Sequence, residues 1–351
     1  MSITFVVGTG RCGSTMLSRA LQAHPDVLSM NEFFTSLACR GTLGFGDREL
    51  DGRSFWEVLG GPVRPLDAIA ASPYPMPELL YPYATGRYRP GTGVPTIAHM
   101  TLPALTDAPD ALHDELAATV PDWPVRPLPE QYRALFADLG RRERTSVVVE
   151  RSGASLAFLP ALRAMFPEAR FVHLSRSGPA VALSMSRHIG FRTLLLRTEA
   201  MTLLGLASPF DLGPEHVPLL PGHLAHLAGE VDCDLVMRTP VPLSAFGAFW
   251  SGLVVQGVEE MTALPAERRM ALSYEEVLDE PEHHFARLAA FAGAEPHPGW
   301  LRSAADSVLR TDRAPVTDPG TLEACDPGTL ALARQAALFA EAADGVAANV
   351  H

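Results

Sequence analysis

The sequence contains few cysteines, and their positions argue against the usual structural uses of this residue. The four are far apart and form no C-x-x-C pair, so we predict neither a zinc site nor a disulfide framework. They are Cys12, Cys39, Cys233 and Cys325. A chain that does not depend on disulfides fits a reducing compartment, and we therefore expect a cytoplasmic protein.

The sequence also lacks a recognisable export signal and a convincing membrane span. No basic segment precedes an apolar one at the N-terminus, where Met1–Val7 runs directly into a glycine loop. The longest uncharged run, Thr239–Val258, is about long enough to cross a bilayer, but it holds two prolines, a glutamine and three glycines. We interpret it as a buried helix and predict no transmembrane segment.

Positive charge is scarce relative to negative charge. The chain has 28 basic and 40 acidic residues and a formal net charge of -12. A surface of this sign opposes binding to nucleic acid or to an anionic membrane, so we expect neither partner. A small anionic ligand remains compatible, because charges are screened over about 8 Å and a few local arginines decide what a cleft attracts.

Enough apolar residues are present for a large core. At 351 residues, 47% of them hydrophobic, the chain can bury the core of one large domain or of two modest ones, and we expect a single domain over residues 1–351. Strand and helix patterns alternate, which predicts an α/β fold with a parallel sheet flanked by helices. Proline- and glycine-rich stretches near residues 40–130 and 191–240 are predicted to be irregular insertions that bind an acceptor.

The first elements of the chain form a strand, a glycine loop and a helix. Ile3–Gly8 is an apolar run that predicts a buried parallel strand, and apolar residues recur at helical spacing from Ser14 until His24-Pro25. The intervening loop has the G-x-x-x-x-G spacing of a phosphate-binding loop, in which backbone N–H groups and a helix N-terminus face an anion. The alternative is a turn that merely needs glycine.

The position after the second glycine of this loop holds Ser14, where nucleoside triphosphatases have a lysine. The cation of the loop is Arg11 instead, which disfavours ATP hydrolysis and ordinary kinase chemistry. A small-molecule kinase, or a nucleotide-binding module without catalytic activity, is nevertheless the alternative function for the same scaffold.

The loop resembles the signature (Arg/Lys)-x-Gly-(Ser/Thr)-Thr of sulfotransferases that use 3'-phosphoadenosine-5'-phosphosulfate (PAPS). The resemblance implies a P-loop-type sulfotransferase fold and a sulfuryl donor, PAPS, that leaves as 3',5'-phosphoadenosine (PAP). It implies that Arg11 acts on the bridging oxygen while the rest of the loop binds the 5'-phosphosulfate. The loop residues concerned are Gly10, Arg11, Cys12, Gly13, Ser14 and Thr15.

A second match follows the predicted strand Phe171–Ser175. Arg176 ends this strand, and Ser184 stands eight residues later on the following helix. In the family, an arginine and a serine with this spacing bind the 3'-phosphate of PAPS, a role that a guanidinium and a helix hydroxyl suit chemically. A weaker resemblance, Ser273-Tyr274-Glu275-Glu276, implies a structural segment near the adenine.

Transfer to a hydroxyl needs a base, and no metal is expected. Glu32 follows the predicted strand Val27–Met30 and resembles the glutamate base of bacterial carbohydrate sulfotransferases. The animal cytosolic branch uses a histidine after a strand that corresponds to 147–149, but this chain has Glu150-Arg151-Ser152-Gly153 there. Arg151 is therefore expected to contact the sulfuryl group, and His99 is a reserve candidate for the base.

Two parts of the function are not predicted. The C-terminal nucleotide loop of the cytosolic branch has no clear counterpart, since Arg310 and Arg313 are weak substitutes. The acceptor is expected to be a small molecule, carbohydrate or lipid with a hydroxyl group, and neither its identity nor the oligomeric state follows from the sequence.

Overall fold

The computed structural model describes residues 2–308 and 315–348. Its strands are β1 (Ser2–Gly8), β2 (Val27–Asn31), β3 (Glu49–Leu50), β4 (Arg126–Pro127), β5 (Val147–Arg151), β6 (Arg170–Ser175) and β7 (Arg269–Ser273). Its α-helices are α1 (Ser14–Gln22), α2 (Phe33–Ala38), α3 (Gly52–Gly60), α4 (Arg64–Ala71), α5 (Thr96–Met100), α6 (Leu102–Leu105), α7 (Pro109–Thr119), α8 (Leu128–Glu143), α9 (Leu159–Met165), α10 (Gly178–Ser186), α11 (Ile189–Leu204), α12 (Gly222–Ala228), α13 (Cys233–Arg238), α14 (Leu243–Thr262), α15 (Tyr274–Asp279), α16 (Pro281–Ala292), α17 (Pro298–Asp306) and α18 (Pro319–Ala348). Arg310 and Arg313, the weak substitutes for a C-terminal nucleotide loop, lie outside the described residues.

The chain forms two compact units. The first lies within residues 1–31, 133–183 and 243–351, and the second consists of residues 32–132 and 184–242. The second unit contains both stretches that the sequence marks as insertions. The expectation that residues 1–351 act as a single domain stays a prediction.

The first unit is built on a five-stranded parallel sheet. Its strand order is β2-β5-β1-β6-β7, so β1 lies at the centre. Ser2–Val6 of β1 pairs with 147–151 of β5, and Thr4–Gly8 pairs with 170–174 of β6. Parallel strands covered on both faces read as continuous apolar runs, which is why β1 is recognisable in the sequence. The predicted α/β fold with a parallel sheet flanked by helices is confirmed.

The helices of this unit follow from simple sequence signals. The helix α1 ends at Gln22, just before His24-Pro25, because the residue before a proline avoids the helical region. Its buried positions include Leu17, Ala20 and Leu21, which join β1 and β6 in one apolar core. The run Thr239–Val258, which we interpreted as a buried helix, supplies most of α14. Within the described residues, no helix is both long and apolar enough to cross a membrane.

The second unit is mainly helical, with one short antiparallel pair formed by β3 and β4. Its first stretch consists of short helices and loops. The prediction of irregular structure is wrong for the second stretch, because α11 runs for 16 residues. Its buried positions recur with helical spacing, but two of them are arginines, which obscure the apolar period.

These two buried arginines hold loops of the second unit to α11. Arg192 donates hydrogen bonds to the carbonyls of Val236, Ser186 and Thr239. Arg197 donates to the carbonyls of Pro209 at 2.9 Å, Leu212 at 3.0 Å and Leu227 at 2.5 Å. A guanidinium carries five N–H groups in a planar fork, so one side chain satisfies several loop carbonyls at once.

Candidate active site

The glycine loop between β1 and α1 contains three residues in the left-handed region of the backbone map. Gly10, Arg11 and Gly13 have φ angles of 75°, 57° and 92°, all in the left-handed region. Glycine adopts this region freely, whereas a residue with a Cβ atom, such as Arg11, is strained there. Left-handed residues allow a turn tight enough for backbone N–H groups to face an anion.

Gly8 begins the loop in a space that admits no side chain. A Cβ atom there would stand 2.8 Å from the Leu174 carbonyl oxygen and 2.9 Å from Cys12 Sγ. The Gly8 N–H donates a 3.1 Å hydrogen bond to Ser155 Oγ. Ser155 is fully buried and also donates to the Ser152 carbonyl, so it joins the start of the loop to the turn that follows β5. Sequence reasoning missed Ser155, because a serine in a turn carries no signal of this long-range contact.

Gly13 lies against the ring of Tyr274. A Cβ atom at Gly13 would stand 2.1 Å from a ring carbon of Tyr274, so no other residue fits without displacing the tyrosine. The same ring packs under the Arg176 guanidinium, whose central carbon lies 4.5 Å from the ring centroid. Tyr274 therefore contacts both predicted anion-binding segments, whereas the sequence suggested only a structural role near the adenine.

Arg176 points toward the glycine loop. Its Nη1 donates a 3.1 Å hydrogen bond to the Arg11 carbonyl, and the side chain is half-buried. Next to it, the Ser177 N–H donates to Glu275 Oε1 at 3.0 Å, which holds the turn after β6 to the start of α15. Two segments more than 160 residues apart in the sequence thus meet at one place.

Arg151 is buried at the carboxyl end of β5. It is 2% exposed and donates a hydrogen bond from Nη2 to Asn31 Oδ1. Asn31 ends the adjacent strand β2 and also accepts a 3.1 Å hydrogen bond from Ser18 of α1. Asn31 therefore orients Arg151. The only indication of this role in the sequence is that Asn31 lies at the end of a predicted strand.

The remaining loop residues differ in burial and in their contacts. Burial raises the pKa of the Cys12 thiol, and the Arg151 charge lowers it to a smaller extent, so the thiol stays protonated at neutral pH. Ser14 is buried at the first position of α1, and Thr15 beside it is exposed. Thr9 is buried and donates to the Gly10 carbonyl at 3.0 Å.

All positive charge at these positions comes from guanidinium groups. The chain contains no lysine, and its 28 basic residues are all arginines. An arginine keeps its charge when desolvated and can donate two parallel hydrogen bonds to a phosphate or sulfate. The loop arginine, the strand-end Arg151 and the stacked Arg176 therefore place three guanidinium groups in the first unit.

Glu32 belongs to the second unit, directly after Asn31 in the chain. It is 3% exposed, has a φ of 51° and caps the N-terminus of α2. Its carbonyl accepts hydrogen bonds from the Ser36 N–H at 2.9 Å and the Ser36 hydroxyl at 2.7 Å, which hold the backbone of this strained residue. The flanking Phe33 and Phe34 are buried against Tyr132 and belong to the core of this unit.

The other two predicted residues of the second unit are also buried. Ser184 lies on α10 and is 8% exposed. His99, the reserve candidate for the base, lies on α5 and is fully buried, with Nε2 at 3.8 Å from Asp67 Oδ1. Burial lowers the pKa of His99 to about 4, so its ring is neutral at physiological pH but has no access to solvent.

One group of described residues has the composition of a cation site. Glu280, His283 and His284 lie at the start of α16 with one potential ligand atom each within 4.8 Å of the others. The Arg287 guanidinium approaches His284 Nδ1 to 3.3 Å, and the positive end of the helix is nearby. Both features oppose a bound cation.

Several solved structures match this chain, each of the following with a TM-score below 0.5. The sulfotransferase domain from the curacin biosynthetic pathway is 16% identical, with a TM-score of 0.44 and coverage of 91% of this chain and 82% of that one. The sulfotransferase domain from the Synechococcus PCC 7002 olefin synthase is 16% identical, with a TM-score of 0.46 and coverage of 93% and 94%. A sulfotransferase from Alicyclobacillus acidocaldarius is 16% identical, with a TM-score of 0.37 and coverage of 97% and 96%. No curated protein matches the sequence.

Residues 4–207 match the model of the sulfotransferase family. The match covers more than half of the chain and includes the glycine loop, Glu32, Arg151 and the segment from Arg176 to Ser184. It confirms the resemblance that the loop residues indicated. The chain therefore belongs to the sulfotransferase family.

Proposed function

We propose that this sulfotransferase uses PAPS as its donor and transfers the sulfuryl group to a hydroxyl of a small-molecule, carbohydrate or lipid acceptor. The observation that carries the proposal is the 3.1 Å hydrogen bond from Arg176 to the Arg11 carbonyl. It joins the loop expected to hold the 5'-phosphosulfate to the arginine expected to hold the 3'-phosphate. A nucleoside phosphorylated at both the 5' and the 3' position is the ligand that would need both the loop and Arg176.

The donor-binding residues fit this ligand. The absence of side chains at Gly10 and Gly13 lets the loop backbone approach an anion closely. Arg176 uses one N–H on the Arg11 carbonyl, and a guanidinium has five, so it can also bind a phosphate. Ser184 is assigned the second contact to the 3'-phosphate, and Ser14 and Thr15 contact the 5'-phosphate at the start of α1.

The proposed reaction is an in-line displacement at sulfur. The acceptor hydroxyl oxygen forms a bond to sulfur while the bond between sulfur and the 5'-phosphate oxygen breaks, and the leaving PAP takes up the electron pair. Glu32 accepts the hydroxyl proton. Arg11 stabilises the negative charge that develops on the leaving oxygen, and Arg151 contacts the sulfuryl oxygens.

Asn31 has a positioning role in this scheme. A buried arginine is mobile unless its N–H groups have acceptors, and Asn31 provides one to Arg151 at the strand end. The cytoplasm remains the proposed location, since the four cysteines are free and need no oxidising compartment.

Binding of nucleotides without the sulfuryl group tests the proposal directly. Calorimetry should show that PAP binds at least tenfold more tightly than AMP, which lacks only the 3'-phosphate, because a hydrogen-bonded charge pair contributes about 1.5–3 kcal/mol. Arg176→Met should remove this preference. The matched control is Arg302→Met, which removes an exposed arginine of the same unit. Equal affinity of the wild-type protein for PAP and AMP, or preferential binding of ATP with magnesium, would contradict the proposal.

A further inference from the structure

The second unit contains a cavity of about 810 Å³ that no step so far has used. Its wall combines cationic and apolar side chains, among them Arg40, Arg64, Arg197, Val63, Phe210 and Leu212. Cavities of this size and mixed polarity bind small molecules that have an apolar body and a few polar groups.

Arg40 is the least satisfied of the cationic residues in this wall. Its guanidinium lies across the backbone at Gly61, where a Cβ atom would stand 1.7 Å from Nη1. Its Nε and Nη1 are buried and have no hydrogen-bond acceptor in the described part of the chain. A buried donor without an acceptor costs about 1–3 kcal/mol, so a ligand oxygen bound at this guanidinium would remove an existing penalty.

The other two arginines in the wall differ from Arg40. Arg197 is 5% exposed and donates to three loop carbonyls, so it adds a fixed positive charge without offering the same hydrogen-bonding capacity. Arg64 is exposed, and its charge is screened by solvent.

The acidic residues of the wall do not neutralise Arg40 by direct contact. Asp67 accepts a 3.1 Å hydrogen bond from the Val94 N–H and lies beside His99. Glu230 is exposed to solvent. The acidic residue that acts on the Arg40 charge is Glu57, whose carboxylate raises the pKa of Arg40, but burial has the larger effect and lowers it. An anionic ligand group would therefore meet an under-compensated cation.

The helix α2 connects this wall to the proposed base. Glu32 caps its N-terminus, and Cys39 and Arg40, which follow its C-terminus, line the cavity. Burial raises the pKa of the Cys39 thiol to about 12, while the Arg197 charge lowers it and the Glu32 charge raises it. The thiol is therefore uncharged and does not compete for the cations. At 1.5 Å per residue, the six residues of α2 that separate Glu32 from Cys39 and Arg40 span about 9 Å.

We infer that the cavity binds the acceptor, and that the acceptor is a hydroxylated amphiphile whose carboxylate pairs with Arg40. The inference rests on the proposed function, because it takes Glu32 as the group that receives the hydroxyl proton. Because Glu32 and Arg40 flank α2 on opposite sides in the chain, the hydroxyl and the carboxylate are expected at opposite ends of the acceptor. The apolar wall residues surround the chain between them.

The test uses a medium-chain ω-hydroxy fatty acid and its methyl ester, which differ in the carboxylate alone. Calorimetry without nucleotide should show that wild-type protein binds the acid about tenfold or more tightly than the ester. Arg40→Met should abolish this preference, and Arg40→Lys, which keeps the charge but not the planar fork, should retain part of it. Arg53→Met, an exposed arginine of the same unit outside the cavity wall, should leave it unchanged.

A stability measurement separates a binding role from a structural one. Because the Arg40 donors lack acceptors, Arg40→Met should unfold at the same or a higher urea concentration than the wild type. The inference is overturned if acid and ester bind equally, if neither binds, or if Arg40→Met keeps the preference. Failure of the proposed function would appear separately, as equal binding of PAP and AMP, in an experiment that contains no acceptor.

Discussion

Arginines singled out in the two units occupy different places in the secondary structure. In the first unit, Arg11, Arg151 and Arg176 lie in a loop or at strand ends, where parallel strands direct their last residues to the same edge of the sheet. In the second unit, Arg192 and Arg197 lie within a helix and are used to satisfy loop carbonyls. The arginines of the proposed donor site lie in a loop or at strand ends, whereas those of α11 lie within a helix and bind loop carbonyls, so position relative to secondary structure distinguishes the two groups.

The largest expected effect comes from removing the proposed base while the donor site is left intact. Glu32→Gln should reduce sulfuryl transfer by roughly 100- to 10,000-fold, the range that general bases contribute. PAP affinity, measured by calorimetry, should not change. Glu49→Gln, an exposed glutamate of the same unit, is the control. If Glu32→Gln retained wild-type turnover, the catalytic group would have to be sought elsewhere, beginning with His99.

Removing a buried arginine of the second unit should cost more stability than removing an exposed one. Arg197→Met leaves three carbonyls without their donor, and we expect the free energy of unfolding to fall by about 4 kcal/mol or more. Arg187→Met, an exposed arginine of the same unit, should change it by less than about 0.5 kcal/mol. Urea unfolding followed by circular dichroism measures both, and equal losses would contradict the structural role of Arg197.

Sequence reasoning succeeded where the relevant contacts are local. A strand, a glycine turn and a helix occupy residues 2–22, so their pattern can be read within one short window. The same holds for β6 and the arginine that follows it. Open parallel sheets collect ligand-binding residues at their carboxyl ends, which explains why the first unit was predictable from strand ends alone.

Sequence reasoning failed where a residue's role depends on distant segments. Ser155 supports the loop by accepting a hydrogen bond from Gly8, which lies 147 residues earlier in the sequence. Tyr274 lies close to Gly13 although the two residues are far apart in the sequence. In α11, arginines occupy positions of the buried stripe, so a pattern of apolar residues does not reveal the helix. Arg40 gives no signal at all, because its environment is created by the fold around Gly61.

Each unit also contains a buried histidine, and their environments differ. Burial lowers the pKa of His99 and of His173 from 6.5 to about 4. Between these values the unfolded chain binds the proton and the folded chain does not. Stability should therefore fall as the pH drops from 6.5 to 4, by about 3 kcal/mol for each histidine, and should level off below that range.

Leucine variants distinguish the two histidines. His173 Nδ1 contacts Gln335 Oε1 at 2.8 Å, so His173→Leu should also lower stability at neutral pH by about 1–3 kcal/mol. The ring nitrogens of His99 have no hydrogen-bond partner among the described residues, so His99→Leu should flatten the pH dependence without that loss. Urea unfolding at several pH values measures both effects. An unchanged slope in His99→Leu would show that this ring does not resist protonation.

The smallest effect compares two left-handed glycines, one in each unit. Gly13 and Gly205 have φ angles of 92° and 65°, so alanine at either position is strained by about 1 kcal/mol. At Gly205 a Cβ atom meets nothing within 4 Å, whereas at Gly13 it meets the Tyr274 ring at 2.1 Å. The free energy of unfolding of Gly205→Ala should therefore fall only by the cost of the strained backbone. That of Gly13→Ala should fall by about 2–3 kcal/mol, because the clash with the ring adds to the strain. Tyr274 also stacks on Arg176, so Gly13→Ala should weaken PAP binding. Gly205→Ala should leave PAP binding unchanged. Equal PAP affinity in the two variants would mean that the tyrosine does not couple the loop to Arg176.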